Sequence, residues 1–356
     1  MDILSLLQTA VSQGASDLHL IAYSPPLLRI NGVMETIAST EPLTPEEVDQ
    51  AFSQLASEKE QVEFANKMES DFGYTIPGLS RIRCNAAQQR GTTCLAIRML
   101  PLTIPNIDKL GLPALCKDLA LKPHGLIVVS GPTGSGKSST MAAMINHMNI
   151  SQGRRIVTIE DPIEYVYTNK ISVITQRELG TDTLSFVEAL RHVLRQDPDV
   201  ILVGEMRDLD TASAVLTIAE TGHLVITTSH GASTAQSIER IIDLFPPHER
   251  PLAQSRLASL LVGVLCQALI PKVDGAGRVA AVEVMLASPA VRSLIREGKI
   301  YQLPNAIRTQ ARLGMELFDH ALVNLFKQGI ISGESMFAYC HDQDEVEQLC
   351  GKVEIA

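Results

Sequence analysis

Tryptophan is absent from the 356 residues, and six tyrosines and eight phenylalanines are the only other aromatics. Stacking platforms for single-stranded nucleic acid are therefore scarce. Basic residues are also in deficit: 30 Lys and Arg face 40 Asp and Glu, a net charge of −10. A polyanion needs a basic face, so generic nucleic-acid binding is excluded as the leading reading. Cysteine pairing is missing as well. Cys84, Cys94, Cys116, Cys266, Cys340 and Cys350 form no C-x-x-C and no metal-ligand spacing, so they read as reduced, mostly buried thiols. No apolar run is long enough to cross a bilayer. The longest, residues 257–270, is interrupted by Ser259 and Gln267, is bounded by Arg256 and Pro271, and reads as a core helix. Met1-Asp2 opens the chain without the basic region of a signal peptide, and a cytoplasmic location is expected.

What remains is a well-folded chain. With 45% hydrophobic and 20% charged residues it has ample material for a core, and its length suits two domains. Residues 3–11 carry Ile3, Leu6, Leu7, Ala10 and Val11 on one helical face. Strand patterns follow at 17–21 and 27–33, with Asn31-Gly32 as a hairpin signal, and again at 80–85 and 92–99, joined by a turn over 88–91. Between them, residues 44–68 are helical in pattern, opened by Thr44, Pro45 and Glu46-Glu47. Residues 1–100 thus form a small α+β domain. Pro101, Pro105, Gly111 and Pro113 punctuate a linker over 101–113, and the second domain is expected over 114–356. There, apolar runs at 126–130, 155–160, 200–204 and 224–228 alternate with helical segments, the pattern of a parallel sheet covered on both faces. The fold class is α/β.

Directly after the first of those strands comes Gly131, Pro132, Thr133, Gly134, Ser135, Gly136, Lys137 and Ser138, a complete G-x-x-x-x-G-K-S followed by Ser139 and a helical pattern. Glycines let backbone N–H groups turn inward around phosphate oxygens, and the next helix presents its positive end. Lys137 supplies a mobile charge for the β- and γ-phosphates, and the Ser138 hydroxyl suits Mg²⁺. The strand over 200–204 ends in Glu205, where a magnesium-organising acid belongs; with Glu rather than Asp, that contact can run through water. The strand over 155–160 ends in Glu160 and Asp161, with Glu164 beyond Pro162. Glu164 is the candidate general base for an attacking water, and Glu160 its electrostatic support. Histidines bracket the strand over 224–228: His230 is placed to sense a γ-phosphate, and His223 to join an intersubunit network or the nucleotide site. Arg81 and Arg83 alternate on one strand face and Arg98 lies on its hairpin partner. From pattern alone these arginines read as solvated side chains on a sheet face before they read as phosphate ligands.

The segments at 131–138, 158–165, 194–208 and 219–230 resemble, in order, the Walker A, Asp, Walker B and His boxes of the secretion-ATPase superfamily. Within it the chain is most similar to the type IV pilus retraction ATPases, the PilT/PilU group, through residues 16–20, Ala306-Ile307-Arg308, Gly314-Met315, Phe318-Asp319 and Leu322. The resemblance implies a PAS-like N-terminal domain joined to a RecA-like ATPase core, assembled as a homohexamer. It implies ATP and Mg²⁺ as cofactors, with Arg81, Arg83 and Arg98 completing the nucleotide site. It also implies an inner-membrane pilus platform protein as partner, a paralogous motor as a candidate second partner, and a station at the inner face of the cytoplasmic membrane. The four-cysteine zinc module common in assembly-type relatives is missing, since only Cys266 stands near 267–283. The His box ends Ser229-His230-Gly231 where Leu-His-Thr is more usual, and Ser139 follows Ser138 where Thr is more usual. The alternative reading is an ATPase for pilus assembly or type II secretion; a nucleic-acid translocase and a nucleotide-binding regulatory ring are two further ones.

Overall fold

The first helix, α1 (Ile3–Ser12), starts where the Asp2 side chain accepts the Leu4 N–H, and it buries Ile3, Leu7 and Ala10 along one stripe. In the computed structural model, which describes residues 2–351 except Asn31, Ser39, Pro77, Pro101, Leu102 and Ala276, the chain divides into two units. One comprises Met1–Thr103 with Pro162–Val166, the other Ile104–Asp161 with Tyr167–Ala356.

The first unit continues with β1 (Asp17–Ile21), β2 (Leu27–Ile30), β3 (Val33–Thr36), α2 (Pro45–Leu55), α3 (Glu58–Lys67), β4 (Glu69–Ile76), β5 (Ser80–Gln89) and β6 (Thr92–Leu100). The strands form one antiparallel sheet in the order β3-β2-β1-β6-β5-β4. Alternate residues Leu18, Leu20, Ile82, Cys84, Leu95 and Ile97 enter its core. The helical pattern over 44–68 resolves into two helices. Thr44 and Glu47 cap α2 reciprocally, and Ser57 and Glu60 open α3 the same way, so the chain restarts at Ala56–Ser57. Strand β4 is not among the expected strands, although Pro77-Gly78 follows it in the sequence as a turn signal. The β5–β6 turn uses Arg90 and Gly91 at φ +50° and +79°, which matches the strands' twist. Of the expected Asn31-Gly32 turn, Asn31 lies outside the described residues, as do Pro101 and Leu102 of the linker.

The second unit opens with α4 (Leu115–Ala120) and runs β7 (Gly125–Ser130), α5 (Lys137–Ser151), β8 (Arg155–Glu160), β9 (Val173–Glu178), α6 (Phe186–Val193), β10 (Val200–Val203), α7 (Leu209–Glu220) and β11 (Leu224–Thr228). It continues through α8 (Thr234–Asp243), α9 (Arg250–Leu260), β12 (Leu261–Pro271) and β13 (Arg278–Leu286). Helices α10 (Pro289–Arg296), α11 (Leu303–Thr309), α12 (Phe318–Lys327), α13 (Gly333–Tyr339) and α14 (Gln343–Cys350) complete it. The sheet order is β13-β12-β7-β11-β10-β8-β9, parallel except for β13. Leu126, Val128, Ile201 and Val203 pack with α6 to α9 on one face. Ile127, Val129, Val200 and Leu202 pack with α4 and α5 on the other. The continuous apolar runs follow from that double burial.

Residues 257–270 are not a single core helix. Helix α9 ends at Leu260 and the chain enters β12 at Leu261, held between β7 and β13. A strand buried on both faces and a buried helix share the same apolar run, so periodicity alone does not separate them. The apolar side chains over 306–328 are likewise divided between surroundings. Ala306, Ile307 and Leu317 join the sheet core, Leu322 packs with Ile270 and Ala281 under the C-terminal helices, and Leu313 is exposed.

Candidate functional site

Strands β7, β8, β10 and β11 are parallel and in register, so the segments that leave their carboxyl ends gather at one edge of the sheet. That edge is where open α/β sheets bind ligands. Gly131 leaves β7 at φ +138°, and a Cβ there would stand 2.2 Å from the Gln267 carbonyl oxygen. Gly136 caps α5 at φ +89°. Both positions demand glycine. Pro132, Thr133 and Gly134 form the exposed crest of the loop, and Ser138 and Ser139 stand half-buried on the first turn of α5. Lys137 Nζ donates to the carbonyl oxygens of Gly131 (2.8 Å) and Pro132 (3.1 Å), folding the ammonium back over the loop. Ser135 is buried, and among the described residues its hydroxyl has no hydrogen-bond partner.

Glu205 follows β10. Its Oε1 accepts from His230 Nε2 at 2.6 Å and its Oε2 from Arg207 Nε at 2.7 Å. The structure therefore joins two of the expected residues, one from each neighbouring strand, in a charge-assisted bond. The backbone beneath them is stitched together: Thr228 Oγ1 donates to the Gly204 carbonyl oxygen at 2.6 Å, and Ser229 N–H to that of Val129 at 3.1 Å. Ser130 Oγ accepts from Gly231 N–H (2.9 Å) and from Ser237 Oγ (2.7 Å), fastening the start of the loop to the exit of the His box. Glu160, at the tip of β8, is 9% exposed; Thr158 Oγ1 (2.6 Å) and Gln176 Nε2 (3.2 Å) donate to its Oε1.

The remaining expected residues are placed as follows. Glu164 belongs to the first unit, half-buried between the buried Ile163 and Tyr165. Within that unit Arg81 Nε donates to the Ile163 carbonyl oxygen at 3.0 Å, and its Nη1 to Thr75 Oγ1 at 2.9 Å. Arg81 thus holds the segment that carries Glu164. Arg83 and Arg98 are direct cross-strand partners on β5 and β6. Like charges so opposed need counterions: Asp71 lies 3.8 Å from Arg83, and Asp17 lies 3.1 Å from Arg98. His223 is expected in an intersubunit network or at the nucleotide site. It precedes β11 and so lies at the opposite, amino-terminal edge of the sheet, its Nδ1 within reach of Thr221 Oγ1 (2.9 Å) and the Ile218 carbonyl oxygen (3.2 Å).

Sequence reasoning missed Ser130, Arg207 and Gln267. The last left one trace, a polar residue inside the longest apolar run. Among the described residues no group of three His, Cys, Asp or Glu side chains is gathered for a metal. Magnesium at a nucleotide keeps several waters and takes one or two protein oxygens. The Ser138 hydroxyl and the Glu205 carboxylate are hard oxygen donors that fit this demand. No helix among the described residues is long and apolar enough to cross a membrane.

The family model described as "Type II/IV secretion system protein" matches residues 2–293. The chain is 44% identical over 335 residues to the "Type IV pilus retractation ATPase PilT" of Pseudomonas aeruginosa, covering 94% of this chain and 97% of that protein. It is 43% identical over 333 residues to a "Twitching motility protein" of Neisseria gonorrhoeae, covering 94% and 89%. It also matches the crystal structure of "the Pilus Retraction Motor PilT and Bound ADP" with a TM-score of 0.91 and 42% identity, over 98% of this chain and 99% of that one. The chain belongs to the type II/IV secretion system protein family, and within it to the PilT group of pilus retraction ATPases.

Proposed function

We propose that the chain is an ATP-hydrolysing motor that powers retraction of a type IV pilus. The observation that carries this is the gathering of a glycine-built phosphate loop, Lys137 and the Glu205–His230 pair at one sheet edge, in a chain so similar to the retraction ATPase of P. aeruginosa. The backbone N–H groups of residues 131–139 cradle the phosphates, and Lys137 leaves the Gly131 and Pro132 carbonyls for the β- and γ-phosphates. Glu164 takes the proton of the attacking water, and Glu160, its orientation fixed by Thr158 and Gln176, lends it negative support. Arg81, Arg83 and Arg98 neutralise charge developing on the transferred group, with Arg81 also bracing the Glu164 segment. His230 reads the γ-phosphate and passes that contact to Glu205. Ser138 and Glu205, the latter through water, would hold Mg²⁺, which supplies charge neutralisation at the phosphates when bound. His223 serves contacts between subunits.

The working assembly is a homohexamer at the inner face of the cytoplasmic membrane, acting on an inner-membrane pilus platform protein, with a paralogous motor as a second partner. Residues 1–100, 101–113 and 114–356 are its PAS-like domain, linker and ATPase domain. Deletion of the gene is expected to leave cells with excess surface pili and no twitching, restored by the wild-type gene and not by Lys137→Ala. Bald cells would instead identify an assembly or secretion motor.

A further inference from the structure

One buried polar side chain takes no part in the chemistry described above. Gln267 lies in the middle of β12, 2% exposed, beside the loop rather than in it. Its amide is used at both ends. Nε2 donates to the Ser135 carbonyl oxygen at 2.7 Å, and Oε1 accepts from Thr140 Oγ1, on the first turn of α5, at 2.8 Å. Its backbone carbonyl abuts Gly131, and its Nε2 would stand 3.1 Å from a Cβ on Gly136. A single residue thus meets the start of the loop with its backbone, and the loop's last turn and the helix it feeds with its side chain.

Buried amides are hydrogen-bonded in any stable core, so the contacts alone do not mark a role. The direction of one of them does. A peptide unit is planar and trans, so the Ser135 carbonyl and the Gly136 N–H point in opposite directions. By drawing the carbonyl toward β12, Gln267 turns the Gly136 N–H away from the sheet strand, to the side on which a loop of this kind receives phosphate. The amide's sense is fixed by the Ser135 carbonyl, because the reversed amide would set Oε1 against a carbonyl oxygen, and the Thr140 hydroxyl holds the other end of the amide in place. Gly136 lacks the Cβ that would resist rotation of this peptide, so its orientation must be imposed from outside.

We infer that Gln267 is a positioning residue that sets the Ser135–Gly136 peptide, and with it a phosphate-binding N–H of the loop. This rests on the nucleotide reading above. The test is binding of a fluorescent ATP analogue to the full-length protein, together with ATP KM, kcat and thermal midpoint. Gln267→Leu keeps the volume and removes both bonds. It should weaken binding about tenfold, the scale of one lost aimed hydrogen bond, raising KM more than it lowers kcat. Thr140→Val should weaken binding by a smaller factor, and Thr140→Ser, which keeps the hydroxyl, should restore it. A purely structural role would lower the thermal midpoint and leave affinity alone. Wild-type affinity in Gln267→Leu and Thr140→Val overturns the inference. Where Gln267→Leu does not fold, the Thr140 pair decides by itself: equal affinity in the valine and serine variants overturns it. Lys137→Ala separates the two claims. If it too binds like the wild type, the nucleotide reading falls and takes this one with it. If only Lys137→Ala fails to bind, the Gln267 assignment falls alone.

Discussion

At the scale of single residues, burial decides what the thiols do. All six cysteines are free. Burial pushes the Cys116 thiol up to about 12, and burial together with the Glu283 charge does the same to Cys266, despite the nearby Lys137 ammonium. Burial raises Cys84 further still. A raised thiol pKa means that the folded chain holds protons which the unfolded chain releases near pH 9. Above that pH the unfolded state binds fewer protons, so stability falls as pH rises toward 12. The stability measured by denaturant unfolding should therefore fall between pH 8 and 11 in the wild type, and its slope against pH should flatten when Cys84, Cys116 and Cys266 are all replaced by Ala. An unchanged slope would contradict the assignment. That these thiols are unpaired is legible from their spacing; which of them are deeply buried depends on which strand face they occupy. The same limit explains Gln267. A polar residue in an apolar run announces a buried hydrogen bond without naming its partner, because the partners lie 127 and 132 residues away.

At the scale of elements, local signals were readable and non-local ones were not. The caps of α2, the turn before β6, and the four parallel strands β7, β8, β10 and β11 follow from nearby residues and from continuous apolar runs. Strand β12 did not, because its burial on both faces erases the period that separates strand from helix. Its partner β13 carries an element-scale consequence. Glu283, 4% exposed on β13, accepts from Thr234 N–H (2.7 Å) and Thr234 Oγ1 (2.5 Å) at the start of α8, and from Phe318 N–H (3.3 Å) at the start of α12. One carboxylate thereby caps two helices whose positive ends favour it. Glu283→Ala leaves buried donors unsatisfied and should cost about 1–3 kcal/mol or more in denaturant unfolding, with Glu283→Gln losing less. Equal stability in both variants would remove Glu283 from this role.

At the scale of the whole molecule, the strand–loop–helix that carries the candidate phosphate loop was legible, because such a loop is written in adjacent residues. The association of Pro162–Val166 with residues 1–103, and the Arg81 bond that holds this segment, were not, since nothing in the local sequence marks a segment that leaves one unit for another. The position of Glu164 there makes it the decisive residue. The central claim is that the protein hydrolyses ATP with Glu164 as base, and steady-state ATP turnover measured beside nucleotide binding tests it most directly. The account predicts Mg²⁺-dependent turnover that EDTA abolishes, no binding by Lys137→Ala, and in Glu164→Gln near-normal ATP binding with turnover reduced by at least about a hundredfold, the scale of a lost general base. Turnover within a few-fold of the wild type in Glu164→Gln, or in Lys137→Ala, would contradict it.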